Sequence, residues 1–219
     1  MKTKQTVAVI GAGDMGLAIS KALSKGNYRI LLYSSKADEA QAAVSRIQTE
    51  DAGADIEAMP CSREAGWEAD IIILAVPYSA EKEVAERIKE VANQKVVVSI
   101  SNPLNPSYTG LVTAADTSAA EELQRVLPHA KVIKAFNSIF ARDFNQPIIE
   151  GNQVDTFIAG SDQDALDTVS ELVSTAGFNP IVAGPLSASR TLENMQLLLI
   201  QLRMKHNYNG AAGWKILHN

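Results

Sequence analysis

Short apolar runs alternate with amphipathic stretches along the whole chain. Residues 2–10 end in Val7-Ala8-Val9-Ile10, a run of strand length, and predict a buried strand. A helix is expected over 15–25, closed by Gly26 and Asn27, whose tolerance of left-handed dihedrals suits a C-cap. A second strand follows over 29–33. Ala40, Val44 and Ile47 recur at helical spacing and predict a helix over 37–51, with a short third strand near 55–59. From Asp70 to Val76 the chain is almost wholly apolar and stops at Pro77, as expected of a parallel strand covered on both faces. A helix over 80–92 comes next, with Ser79 as its N-cap or as a ligand contact, and then a fifth strand over 95–100.

The second half repeats the alternation. Ser118 with Glu121 three residues on forms a capping-box pattern, and Pro128 ends the helix it opens. A sixth strand is predicted over 131–136. Asn137 after it reads two ways: a carboxamide presented to a ligand, or the N-cap of a helix over 138–144. Strands over 156–159 and 179–183 flank a helix over 163–176, and a long helix spans 187–206. Crossover rules add these strands to the same sheet. The pattern therefore predicts an α/β fold: a Rossmann-type doubly wound, mainly parallel sheet with a C-terminal α/β extension. It forms one domain over 1–219, with a nucleotide-binding core of about 1–138 and an extension of about 139–219. In the last helix Leu192, Met195, Leu198, Leu199 and Leu202 are apolar on more than one side, so a second surface is expected against it, a homodimer contact or a lid.

The chemistry concentrates where the first strand meets the first helix. Gly11-Ala12-Gly13-Asp14-Met15-Gly16 has a strand before it, a helix after it and a second strand at the expected distance. A pyrophosphate needs backbone amides within hydrogen-bonding distance, and Gly11 and Gly13 remove the Cβ atoms that would prevent this. Gly16 lets the helix lie close, so that its positive end faces the phosphates. An NAD site usually carries an acid at the end of the second strand, and none stands at Tyr33, Ser34, Ser35 or Lys36. Two hydroxyls and an ammonium can instead donate to the extra phosphate of NADP, so NADP(H) is the expected cofactor; a plain polar loop is the other reading. Ala75, Val76 and Pro77, at a strand's carboxyl end, should line the same cleft, with Tyr78 close by. Ser101-Asn102-Pro103 falls where the nicotinamide ribose is expected, though turn chemistry alone also explains these residue types.

Composition narrows the classes. Of 219 residues 46% are hydrophobic and 21% charged, and the net charge is -5 without a basic cluster, which argues against nucleic acid as a partner. No apolar run is long enough to cross a bilayer, and the N-terminus leads directly into a strand, so a cytoplasmic enzyme is expected. Cys61 is the single cysteine, and His129, His206 and His218 form no metal motif, so no metal site is expected.

The chain resembles the NADP oxidoreductase, coenzyme F-420-dependent family. The resemblance is carried by residues 11–16, Ser34, Ser101-Asn102-Pro103-Leu104, Val132-Ile133-Lys134-Ala135-Phe136-Asn137 and Ala183-Gly184-Pro185-Leu186-Ser187-Ala188-Ser189-Arg190. The segment 132–137 is also similar to the cytoplasmic NADPH-binding domain of the STEAP metalloreductases. The resemblance implies direct hydride transfer between NADPH and a small-molecule acceptor, the deazaflavin F-420 or a flavin (FMN or FAD), with positioning in place of a catalytic acid or base. By the same resemblance the backbone at 75–77, Asn102, Pro103, Ala135, Asn137 and Ser138 holds the nicotinamide. Tyr78, Asn137 and Ser138 then face the acceptor, and Gly210, Gly213 and Trp214 lie near it or at a subunit contact. Archaeal members carry Arg where Ser35 stands and His where Asn137 stands. Two other readings remain: a redox-sensing NADP-binding module without turnover, and a pyrroline-5-carboxylate reductase. The latter is set against a chain that continues as α/β after Phe136 rather than as a helical dimerisation domain.

Overall fold

A computed structural model describes residues 3–217. The start of the first predicted strand at residue 2, and His218, lie outside the described residues. In chain order the elements are β1 (Gln5–Ile10), α1 (Asp14–Leu23), β2 (Tyr28–Tyr33), α2 (Ala37–Glu50), β3 (Ile56–Met59), α3 (Ser62–Glu68), β4 (Ile71–Leu74), α4 (Tyr78–Ile88) and β5 (Val96–Ser99). They continue as α5 (Ala119–Val126), β6 (Lys131–Lys134), a hairpin of β7 (Ile148–Ile149) and β8 (Asn152–Gln153), β9 (Asp155–Gly160), α6 (Gln163–Thr175), β10 (Asn179–Gly184) and α7 (Ser189–His206).

Eight strands form one sheet in the order β10-β9-β6-β5-β4-β1-β2-β3. The six strands from β6 to β3 are parallel, β9 runs antiparallel to β6, and β10 is parallel to β9. Strand order reverses between β1 and β4, the switch point at which open α/β sheets bind ligands. Alternation along each strand builds two cores. Val7 and Val9 face the α1, α2 and α6 side with Ile19, Ile47 and Val169, while Ala8 and Ile10 face the other with Ala65, Ile88 and Leu123. A third, smaller cluster packs Leu192 of α7 on Phe157 and Ala159 of β9. The doubly wound, mainly parallel fold with a C-terminal extension on the same sheet is as the sequence predicts, and β9 is its antiparallel exception.

Several local expectations are corrected. Gly26 is not among the residues with positive φ, so it is not a left-handed cap; a Cβ there would stand 2.6 Å from Thr175 Cγ2, and the glycine serves close packing of α1 against α6. Ser79 does not cap α4, which begins at Tyr78 behind Pro77. No helix spans 138–144; a short 3-10 turn over Ala141–Asn145 takes its place, and Asn137 caps nothing. Strand β6 stops at Lys134 because Phe136 adopts φ 57, turning its ring into the core against Phe144 with ring centroids 5.9 Å apart. The last helix starts at Ser189, after a 3-10 turn over Leu186–Ala188. Helix α3 and the β7–β8 hairpin, the latter turning through Glu150 and Gly151 at positive φ, are additions to the predicted elements.

The chain after α7 returns to the sheet. Arg203 and Arg142 both donate to the Gly210 carbonyl, and Asp155 N donates to Trp214 O (2.9 Å). The buried Asp155 carboxylate accepts from Ile216 N (2.6 Å), Lys215 Nζ (2.8 Å) and Asn179 Nδ2 (2.7 Å). Burial opposes ionisation there, but these three donors outweigh it and hold Asp155 below its ordinary value of 3.8. A depressed carboxyl contributes stability above its unfolded pKa that is lost as pH falls through the folded one. The tail over 213–217 therefore stays docked at neutral pH and loosens as pH drops below about 4. Asp155→Asn should loosen it at pH 7, read as faster amide exchange at Ile216; unchanged exchange would contradict this anchoring.

Candidate active site

Two glycines shape the β1–α1 turn from inside. Gly11 has φ +118, and a Cβ on it would stand 2.3 Å from the Ala75 carbonyl oxygen at the end of β4. A Cβ on Gly16 would stand 1.8 Å from the Gly11 carbonyl oxygen, so no side chain can exist at either point without moving backbone. Gly13 differs: a Cβ there meets nothing within 4 Å. It is the N-cap of α1 with no side-chain cap, and the helix's first bond runs from Leu17 N to Gly13 O (2.9 Å). The amides of Asp14, Met15 and Gly16 thus have no intrahelical partner and face the open side of the turn with Ala12. A diphosphate fits this cradle, which is bare of side chains and lies at the positive end of a helix.

Tyr33 O accepts from Gly11 N (2.7 Å), which brings the end of β2 beside the turn. There Ser34 is almost buried, while Ser35 and Lys36 are exposed. Two of the three groups expected to receive a third phosphate, Ser34 and Lys36, are joined by a residue the sequence reading missed. Ser34 Oγ donates to Glu39 Oε2 (3.0 Å), and Lys36 Nζ donates to Glu39 Oε1 (2.8 Å). Lys36 and Ser34 hold the Glu39 carboxyl below the usual carboxylate range, and Glu39 raises Lys36 in return. The signal in the sequence was an acid three residues beyond a lysine at a helix start, one turn apart.

Ala75 and Val76 follow β4 and flank Gly11, and Pro77 stands exposed at the start of α4. Tyr78 turns away from the glycine turn. Its hydroxyl donates to Glu122 Oε2 of α5 (2.6 Å), beside a cavity of about 250 Å³ between α4 and α5. Burial and that carboxylate push its pKa up to about 12, so it stays protonated.

The loop after β5 and the end of β6 are brought together as the sequence suggests. Asn102 Nδ2 donates to Asn137 O (2.8 Å), and Asn137 Nδ2 donates to Asn102 Oδ1 (3.0 Å) and to Leu192 O of α7 (3.0 Å). Asn137 Oδ1 and Ser138 Oγ are buried with no hydrogen-bond partner. Beneath Ser101 lies a second feature absent from the sequence reading. Lys134 Nζ donates to Ser101 O and to Glu193 Oε1 (2.7 Å), both side chains fully buried. Glu193 Oε2 accepts from Ala119 N at the start of α5. Glu81 of α4 accepts from Ser99 Oγ (2.8 Å) and Ser101 Oγ (3.0 Å); burial pushes its pKa up, against Lys134 and the two hydroxyls. Among the described residues no three His, Cys, Asp or Glu side chains converge to hold a metal, and no helix is long and apolar enough to cross a membrane.

A doubly wound sheet with a bare glycine turn at its switch point defines a dinucleotide-binding oxidoreductase class. Residues 6–103 match the family described as NADP oxidoreductase coenzyme F420-dependent. The chain is 30% identical over 219 residues to the F420-dependent NADP reductase of Methanocaldococcus jannaschii, an alignment covering 94% of this chain and 96% of that one. It therefore belongs to the F420-dependent NADP reductase family and is an oxidoreductase. It is also 26% identical to metalloreductase STEAP3 of Rattus norvegicus, over 91% of this chain and 38% of that protein. A crystal structure from Arthrobacter sp. FB24, provisionally assigned as an F420-dependent NADP reductase, superposes with a TM-score of 0.86 over 98% of this chain and 100% of that one. Its identity of 22% speaks to the fold.

Removing Lys134 alone leaves Glu193 charged and buried without its cation, which costs about 3–5 kcal/mol by the record of broken buried pairs. Lys134→Met should lower the chemical-denaturation free energy by that amount, and Lys134→Met with Glu193→Leu should recover most of it. Equal stability of the single variant and the wild type would show that the pair contributes nothing.

Proposed function

We propose that this chain transfers hydride between NADPH and a deazaflavin of the F420 type, with a flavin as the alternative acceptor. The observation that carries the reading is the uncapped start of α1 behind the Gly11–Gly16 turn at the switch point of the sheet. The family membership supports the same cofactor, and the name of the archaeal relative supports the same acceptor. Amides over 12–16 would hold the diphosphate, and Ser34, Ser35 and Lys36 the third phosphate. Ala75–Pro77, Ser101–Pro103 and Ala135–Ser138 would border the nicotinamide. When bound, NADPH supplies the hydride, and the acceptor takes it with a proton from solvent.

The protein's part is positional. Asn102 and Asn137 lock each other across the strand ends, and the Lys134 ammonium fixes the Ser101 carbonyl, so the nicotinamide end of the cleft is rigid before a ligand arrives. Trp214 packs on Phe157 and Leu192, and its indole nitrogen is buried without a partner; this supports an acceptor-side role for the tail. Leu198 and Met204 leave apolar surface exposed on α7, which supports a homodimer through that helix. A pyrroline-5-carboxylate reductase is not supported, because the chain after Phe136 continues as α/β, with β9 and β10 joining the same sheet and α6 connecting them.

The test is anaerobic turnover. Protein and NADPH are mixed with F420, FMN, FAD or riboflavin, and loss of dihydronicotinamide absorbance is followed. F420 should give the fastest decay, and Gly13→Val, which places methyls in the open cradle, should abolish it while keeping the wild-type circular dichroism. Tight NADPH binding with no acceleration by any acceptor would instead make this chain a redox sensor.

A further inference from the structure

We propose that Glu39 is the residue that sets how strongly this chain prefers NADP over NAD: its carboxylate already sits between Ser34 Oγ and Lys36 Nζ, where the third phosphate would go. The inference rests on the proposed reading of the cleft as a dinucleotide site.

The chemistry around Glu39 is that of a phosphate subsite already filled by an anion of the chain itself. Both carboxylate oxygens are engaged, one by the ammonium at 2.8 Å and one by the hydroxyl at 3.0 Å. Ser34 Oγ in turn accepts from Lys36 N (3.3 Å), which orients the hydroxyl, so that hydroxyl and ammonium are the two donors to one carboxylate. An exposed Lys–Glu pair one helical turn apart is by itself an ordinary surface contact. The bond to Ser34 sets this one apart, because Ser34 is 8% exposed and lies directly after the β2 residue that accepts from the Gly11 amide. That bond places the carboxylate at the rim of the turn, although both partners of the ion pair stand in solvent.

Two consequences follow for two nucleotides. A 2′-phosphate must either displace Glu39 from Ser34 and Lys36 or lie beside it, and in both cases the carboxylate opposes binding. A free ribose instead carries 2′ and 3′ hydroxyls, which donate to a carboxylate and need no displacement. Glu39 therefore weakens NADPH, spares or assists NADH, and narrows the preference that Ser34, Ser35 and Lys36 would give alone. Three donors without an acid read as a strict NADP site; with Glu39 among them the preference is weaker.

The experiment is calorimetric titration of wild type and Glu39→Gln with 2′,5′-ADP, 5′-AMP, NADPH and NADH at fixed ionic strength. Glu39 is exposed on the first turn of α2, and thermal melts of both proteins verify that the fold is kept. The variant should bind 2′,5′-ADP and NADPH about tenfold more tightly, the order expected for removing one charge a few ångströms from a phosphate dianion. Its 5′-AMP affinity should be unchanged, and its NADH affinity unchanged or several-fold weaker. An NADPH-to-NADH affinity ratio the same in both proteins, with all four ligands binding measurably, overturns the role of Glu39 and leaves the cleft assignment standing. Failure of the wild type to bind any of the four overturns both.

Discussion

The contact between Gly16 and the Gly11 carbonyl governs the geometry of this protein. With no room for even a Cβ, α1 is drawn against the end of β1, and the Gly11 backbone is in turn pressed against Ala75 at the end of β4. Three elements are thus locked at the point where strand order reverses. The helix begins there without a side-chain cap, because its N-cap is a glycine. A helix start buried without partners costs free energy, whereas one that opens on a cleft is a site for an anion. The same close packing that completes the core therefore creates the charge that the cleft presents.

Further along the sheet a different interaction does the equivalent work. Charged groups with no exposed surface are rare, and here an ammonium and two carboxylates lie together beneath Ser101. Lys134 and Glu193 join β6 to α7, Ala119 joins α5 to the same carboxylate, and Glu81 joins α4 to the strand β5 and its loop. An apolar core could hold these elements at a similar distance, but it would not direct the Ser101 carbonyl. Asn137 adds a second tie from the cleft to α7 through Leu192. The C-terminal helix is accordingly part of the same framework.

Much of this was legible in the sequence because it depends on local pattern. The apolar runs at 7–10 and 71–74 located the strands of the switch point, and the glycine spacing located the turn between β1 and α1. Long helices with a clear stripe, such as α2 and α6, were bounded to within a residue. What escaped was short or non-local. Helix α3 carries a glycine and only seven residues. The end of β6 is decided by Phe136, whose ring finds a partner beyond the strand, and a strand pattern gives no sign of that. Asn137 read equally well as a cap or a ligand group, and only the position of α7, 55 residues away in sequence, shows that its amide is used to tie the framework. Lys134 and Glu193 lie 59 residues apart, and in sequence neither shows that it has a partner.

The cleft's two ends are consequently built on different physics. At the end proposed for the nicotinamide, ion pair and amide locks are buried, so water screens them little. At the adenosine end, Lys36 and Glu39 stand in solvent and exchange partners at little cost. Hydride transfer depends on fractions of an ångström, whereas the choice between two nucleotides depends on a difference in charge. On the proposed reading, the buried framework beneath one end and the exposed pair at the other would let cofactor preference be altered on α2 without disturbing the reacting end.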